Sequence, residues 1–212
     1  IPIANHLGVN QPLICQQGAS THAHDGSLLH SRTIDQDIAL EVATFAAREG
    51  WPYAWFDHER YLVSEPNHAS RYFADVSGIS MEIHPAPHES DVIAVGIDII
   101  SSRDHAGAIH DDLQQRYGKR VELLDFGLVT AVHAADASKG MALATLAADL
   151  GLEAAEVLAI GDSANDESML RWAGHGAAPA HSDRYASAAA DEILTGSGVD
   201  GVVELLLRLS RR

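Results

Sequence analysis

The chain has 212 residues, 46% of them apolar, and a formal net charge of −16, enough length to bury a substantial core in one domain or two small ones. The acidic balance argues against nucleic acid as a partner, because neutralising a phosphate backbone needs a basic face, and no run of about 18 apolar residues is present to span a membrane. Cys15 is alone, which excludes an internal disulfide and a thiolate metal cluster.

In chain order, residues 1–11 read as the remnant of an N-terminal core segment. They lack an initiator methionine and the charged and apolar regions of a signal peptide, so the expected location is cytoplasmic. Residues 12–19 look like a strand, and His24-Asp25-Gly26-Ser27 is a turn signal leading to a second strand over 28–31. Thr33 followed by Gln36 is a capping box that opens a helix with Ile38, Val42, Phe45 and Ala46 on one apolar stripe, stopping at Gly50. Strands over 52–57 and 61–64 flank a polar turn, and a helix follows over 67–75. The strongest strand of this half spans 91–100. A helix over 101–117 with Ile109 and Leu113 inward precedes strands over 120–125 and 128–133. Hairpins interleaved with helices predict an α+β domain over 12–133, its helices on one side of the sheet.

The pattern changes at about residue 134. A helix from Ser138 carries Leu143, Leu146 and Leu150 and stops at Gly151. Then come a strand over 157–160, a helix over 165–173, a strand over 176–178, a helix from Asp183, a strand over 192–194 and a helix over 198–209. Short βα steps of this kind predict a doubly wound parallel sheet, which binds ligands at the carboxyl ends of its strands.

Chemistry concentrates at one such end. Val157-Leu158-Ala159-Ile160 runs into Gly161-Asp162-Ser163-Ala164-Asn165-Asp166. Asp162 and Asp166 lie four apart, so a helical turn puts them on one face, where like charges cost roughly 0.2–0.5 kcal/mol. Mg2+, a hard cation that prefers oxygen, turns that repulsion into attraction. The alternative is an ordinary helix start whose dipole favours acids, with Ser163 or Asp162 as N-cap. The strand-end position favours function. Lys139 opens the preceding helix at its positive end, a poor place for a cation unless it faces an anion; a solvated surface lysine is the alternative. Any phosphate site on so acidic a chain has to supply positive charge locally, from a lysine, a metal or backbone N–H groups. The thirteen histidines are scattered. His22 with His24 on one strand face, and His84 with His88 around Pro-Ala-Pro, are weak Zn2+ candidates that solvated loop histidines explain equally well. Trp51, Trp55 and Phe56 read as core rather than interface, with homo-oligomer formation left open.

Taken in order, Ser138-Lys139-Gly140, Leu158 to Ser163, Asn165-Asp166, Met169-Leu170 and Ala173-Gly174 resemble the third and fourth motifs of the haloacid dehalogenase (HAD) superfamily of phosphotransferases, in its Cof-type, subfamily IIB branch. Asp200-Gly201-Val202 is similar to that branch's ending. Pro12-Leu13-Ile14 with Gly18-Ala19 is similar to the segment leading into its cap, although Gln17 stands where the family has asparagine. The resemblance covers nearly the whole chain. It implies an α/β fold: a partial doubly wound parallel core, Rossmann-like, over 134–212, and an inserted α+β cap over 12–133. It further implies that Lys139 contacts the phosphoryl group and the nucleophilic aspartate. Asp162 would ligate Mg2+ directly, Asp166 would support the metal shell or hold Lys139, and Asn165 and Ser163 would donate hydrogen bonds. Gln17 and Gly18 fall on the substrate side, with Gln16 and His133 as further lining candidates, and the cap would close over the substrate to exclude water.

One departure is large. The family's nucleophile and general acid/base form a DxDGT-like pair at the end of the first core strand, followed by a serine or threonine motif, and neither occurs in these residues. Asp25-Gly26 is rejected as nucleophile because it sits in a polar turn with no apolar strand before it. The expectation is therefore a parent Mg2+-dependent phosphatase of small phosphorylated metabolites, foremost sugar phosphates, whose phospho-aspartate forms on a residue outside this chain. The chain alone is expected to be inactive. The alternatives are a phosphomutase of the same fold, a non-catalytic binding or regulatory protein that kept the phosphate pocket, and an acidic scaffold without ligand.

Overall fold

A computed structural model describes residues 2–6, 8–196 and 199–211. The chain divides into two compact units, Ile1–Ala137 and Ser138–Arg212.

Unit one begins with α1 (Pro2–His6) and an antiparallel sheet of β1 (Leu13–Cys15), β2 (Ser20–His22) and β3 (Leu28–Ser31). The single strand expected over 12–19 is split, because Gln16 (φ 49°), Gln17 (φ 59°) and Gly18 (φ 96°) take left-handed backbone that no strand accommodates. The helix α2 (Gln36–Arg48) forms as expected, but Asp35 opens it rather than Thr33. The Asp35 carboxylate accepts the Asp37 and Ile38 N–H groups at 3.0 and 3.4 Å, while the Gln36 carboxamide is drawn away to the carbonyls of Ile34 (2.6 Å) and Ala94 (3.3 Å). Replacing Asp35 with alanine is expected to cost about 1 kcal/mol in urea denaturation, the usual loss of an N-cap, whereas Thr33→Ala leaves the midpoint unchanged.

A six-stranded sheet completes the unit. Its strands are β4 (Tyr53–Phe56), β5 (Tyr61–Val63), β6 (Met81–Ile83), β7 (Gly96–Ile100), β8 (Val121–Asp125) and β9 (Val129–Ala134), with α3 (His68–Ser77) and α4 (Arg103–Tyr117) between them. The spatial order is β6-β5-β4-β7-β9-β8, antiparallel except for the β5–β6 pair. β6 is absent from the sequence reading, since three residues cannot display an alternation. The strand expected over 91–100 starts only at Gly96 because the backbone before it is committed elsewhere: the Val92 carbonyl accepts the Trp55 indole N–H (2.8 Å), and the Ala94 carbonyl accepts the Ile34 N–H (3.1 Å). One face of the sheet packs on α2 and α4, with Tyr53, Trp55, Leu62, Ile97, Ile99 and Val132 meeting Val42, Ile109 and Leu113. Trp55 and Phe56 are core, and the half-buried Trp51 ring lies against His105.

Unit two is a parallel sheet of β10 (Leu158–Ile160), β11 (His175–Pro179) and β12 (Glu192–Leu194) with α5 (Lys139–Asp149), α6 (Glu167–Trp172), α7 (Arg184–Ala189) and α8 (Asp200–Leu209). Ala159, Leu170, Ala186 and Ala189 fill one face; Leu158, Ile160, Leu194 and Leu205 fill the other. Helices thus clad both faces, and β10 alternates between them. The apolar stripe expected on α5 differs: Leu150 is 53% exposed and Leu146 only partly buried, while Gly140, Ala142 and Ala147 turn inward. Small residues let α5 approach α6 closely, so bulk is pushed outward. The expected start of the last helix at Gly198 lies outside the described residues.

Candidate active site

After β10, the Gly161 N–H still bonds to the Ala177 carbonyl of β11 (3.2 Å), and a short 3-10 turn over Ala164–Asp166 leads into α6. Asp162 precedes this turn, so the two aspartates do not share a helical face as the spacing suggested. Instead the Asp166 carboxylate folds back beneath the loop. One oxygen accepts the backbone N–H groups of Asp162 (3.0 Å) and Ser163 (3.2 Å), and the other accepts the Lys139 ammonium at 2.5 Å. Its side chain is only 6% exposed. Gly161 is required by this approach, since a Cβ there would collide with the Asp166 Cβ and carboxyl carbon.

The anion that Lys139 needed at its unfavourable helical position is therefore Asp166. Ser138 caps the same helix by accepting the Met141 N–H (3.2 Å), and the Gly140 N–H donates to the Ser168 hydroxyl (3.0 Å), tying α5 to α6 at the site. The Ser163 hydroxyl donates to the Asn165 carboxamide oxygen at 2.7 Å. Asp162 is the exposed carboxylate of the group, 57% accessible, with His181 Nε2 at 3.9 Å.

His181 and Asp183 are neighbours of the site that the sequence reading did not single out. The Asp183 N–H donates to the Asp162 carbonyl (2.9 Å), and its carboxylate accepts the N–H groups of Ala164, Tyr185 and Ala186 at 2.8–2.9 Å, which holds it below the usual carboxylate range. The available signal was positional: both follow β11 at its carboxyl end, the same rule that singled out Asp162.

Among the described residues no three His, Cys, Asp or Glu side chains converge on one point. Mg2+ needs no such cage, being held by one or two carboxylates with water and phosphate oxygens. Asp162 fits that requirement; Asp166 has both oxygens engaged. The weak Zn2+ pairs are occupied otherwise. His22, buried in β2, bonds to Ser20 Oγ (3.1 Å) and the Gly26 carbonyl (3.2 Å), while His24 is exposed in the turn beyond the strand. His84 Nδ1 accepts the Ala86 N–H, and His88 Nδ1 meets the Tyr53 hydroxyl. Asp25 lies in the exposed β2–β3 turn with its carboxylate on Ser27.

The remaining candidates belong to unit one. Gln16, Gln17 and His133 line a cavity of about 470 Å3, whereas Gly18 is buried and does not line it.

An α/β unit with a lysine–carboxylate pair at its strand ends thus lies in a chain that also carries an α+β sheet unit. The model of the haloacid dehalogenase-like hydrolases matches residues 1–206, and the chain belongs to that family. It is 43% identical over 89 residues to phosphoglycolate phosphatase of Archaeoglobus fulgidus, covering 42% of this chain and 40% of the relative. It is 35% identical over 133 residues to phosphoglycolate phosphatase of Methanoculleus marisnigri, covering 63% and 54%. The chain thus spans about half the length, or less, of the curated relatives it matches. Its fold is similar to that of a HAD subclass IIB sugar phosphatase, with a TM-score of 0.82 at 17% identity, covering 99% of this chain and 79% of the other.

Proposed function

We propose that the chain is part of a Mg2+-dependent phosphatase acting in the cytoplasm on small phosphorylated metabolites, with sugar phosphates and phosphoglycolate the first to test. The observation that carries this reading is the Lys139–Asp166 pair, set at the strand end where the Asp162 carboxylate is exposed. The names of the relatives and of the structural neighbour support the reaction class.

Asp166 acts as a positioning residue, orienting Lys139 while fixing the loop through two backbone N–H groups. The Lys139 ammonium would meet the phosphoryl oxygens and stabilise charge as it spreads in the transition state. Ser163 and Asn165 would orient the ester by hydrogen bonding. Asp162 would hold Mg2+, which when bound neutralises phosphoryl charge as a Lewis acid. The phosphoryl-accepting carboxylate is assigned to a residue outside these 212, which contain no DxDGT-like pair. No nucleic-acid partner is proposed; a homo-oligomer is compatible with the reading.

The test expresses the chain together with the coding sequence that precedes Ile1, and separately the 212 residues alone. Each is assayed for phosphate release from the panel with Mg2+ and with EDTA. The longer protein is expected to turn over and to lose activity in EDTA, and Lys139→Ala is expected to lower kcat by about 10²–10³. The 212-residue chain is expected to be silent. Absence of turnover in the longer protein overturns the phosphatase reading; retained Mg2+-dependent phosphate binding in it would then favour the non-catalytic binding protein. Turnover by the 212 residues alone would overturn the assignment of the nucleophile.

A further inference from the structure

The face of the six-stranded sheet opposite α2 and α4 carries the cavity of about 470 Å3. Aromatic rings dominate its walls: Phe56 from β4, Tyr61 from β5, Tyr72 and Phe73 from α3, and Phe126 after β8. Into this apolar space the sheet projects one carboxylate, that of Asp98. The placement follows from strand alternation. Ile97 and Ile99 are fully buried on the helical side, so Asp98, between them, faces the cavity with Ile100.

Among the described lining residues Asp98 is the only acid, and no lysine or arginine joins it. Among the described residues its carboxylate makes no hydrogen bond or ion pair, and burial alone pushes it up to about 7. The neighbouring Tyr61 phenol is raised as well, first by its own burial and then by the Asp98 charge. His133 does not serve as a counter-ion. Its Nδ1 bonds to the Val95 carbonyl at 3.2 Å, and burial lowers it to about 4, so the ring is neutral. Two of the lining residues, Gln16 and Gln17, have φ of 49° and 59°, a left-handed backbone uncommon outside glycine.

The chemistry of the lining selects the ligand. An anion such as a phosphate would meet an acid and, among the described lining residues, no lysine or arginine. A neutral apolar molecule would bury the carboxylate without a partner, which is costly. A cation with an apolar body satisfies both, pairing with the carboxylate and lying against aromatic faces. We propose that this cavity binds a small organic ammonium, with its protonated amine on Asp98 and its apolar body among Phe56, Tyr61 and Phe126. Gln16, Gln17 and His133, the substrate-side candidates of the phosphatase reading, line the same cavity, so the proposal names a ligand class for that site; its test needs neither Mg2+ nor turnover, and its failure leaves the phosphatase reading standing.

Titration calorimetry of the 212-residue chain at pH 8 tests it with three probes of one shape: 2-phenylethylamine, 2-phenylethanol and 3-phenylpropionate. The amine is expected to bind at least about tenfold more tightly than the alcohol, the carboxylate not at all, and Asp98→Asn to bring the amine to the affinity of the alcohol. Equal affinity of amine and alcohol, no binding of the amine, or an unchanged amine affinity in a folded Asp98→Asn chain overturns the proposal. Far-UV circular dichroism reports the fold of the variant, and the comparison of amine with alcohol on the unsubstituted chain decides the matter without it.

Discussion

Asp166→Ala is expected to destabilise unit two by about 3–5 kcal/mol, the usual cost of removing one partner from a buried ion pair. The carboxylate serves three donors at once: the Lys139 ammonium and the N–H groups of Asp162 and Ser163. Its loss leaves a 29%-exposed ammonium at the positive end of α5 without its anion and frees two loop donors. Since a domain's net stability is about 5–15 kcal/mol, the loss is a large fraction of what holds the unit together. Asp166→Asn keeps the oxygen that accepts the N–H groups and is expected to lose clearly less. Urea denaturation followed by circular dichroism distinguishes them, and equal midpoints for parent and Asp166→Ala would remove the carboxylate from the structural account. The same experiment guards the activity assay, because a variant of Asp166 that loses turnover by unfolding says nothing about phosphoryl transfer.

The second large effect is hidden in the unmodified chain by cancellation. Burial raises Asp98 from 3.8 to about 7, so the folded state keeps a proton that the unfolded chain has released. The stability tied to Asp98 is full below about pH 4 and is lost as pH rises to about 7. Burial lowers His133 from 6.5 to about 4, so the unfolded chain takes up a proton first as pH falls. The stability tied to His133 is full above about pH 6.5 and is lost as pH falls to about 4. At ~1.4 kcal/mol for each pH unit that separates folded from unfolded titration, Asp98 contributes on the order of 4–5 kcal/mol and His133 on the order of 3–4 kcal/mol, with opposite slope. Asp98→Asn is expected to expose the His133 limb, its own stability rising from pH 4 to 6.5, and to stand about 4–5 kcal/mol above the parent beyond pH 7. His133→Gln is expected to expose the other limb, with stability falling across the same range. Denaturant midpoints measured at four or five pH values test both; parallel profiles for parent and Asp98→Asn would show that this carboxylate is not desolvated in the folded state.

Much of unit two was legible in advance. Its strands and helices follow one another in short βα steps, each announced by local signals such as the Ser138 cap, the Gly151 stop and the Asp183 cap. The placement of Lys139 at a helix start and of Asp162 just past a strand end was legible too, because strand ends and helix starts are local events that chain order reveals. Unit one is less legible, and its departures from the sequence expectations share a cause. The expected strand over 91–100 lost its first half to hydrogen bonds from Trp55 and Ile34, residues 37 and 60 positions away along the chain. Gln36 had the right spacing for a capping box with Thr33 but found better partners at Ile34 and Ala94. Asp98 stands inside an apolar run, where an acid flanked by isoleucines in a strand marks a sheet face that is not ordinary core.

By itself the sequence determined the alternation of elements, the family resemblance and the identity of the charged residues at the end of β10. Those depend on periodicity, caps and turns, which operate within a few residues. Only the tertiary structure decided what each charge does: Asp166 turns inward to Lys139 and the loop amides, Asp162 stays exposed, and Asp98 faces a cavity assembled from β4, β5, β7, α3 and the β8–β9 turn. A carboxylate's role is set by which donors reach it and how much water remains. Both are settled by segments far apart in the chain once they pack.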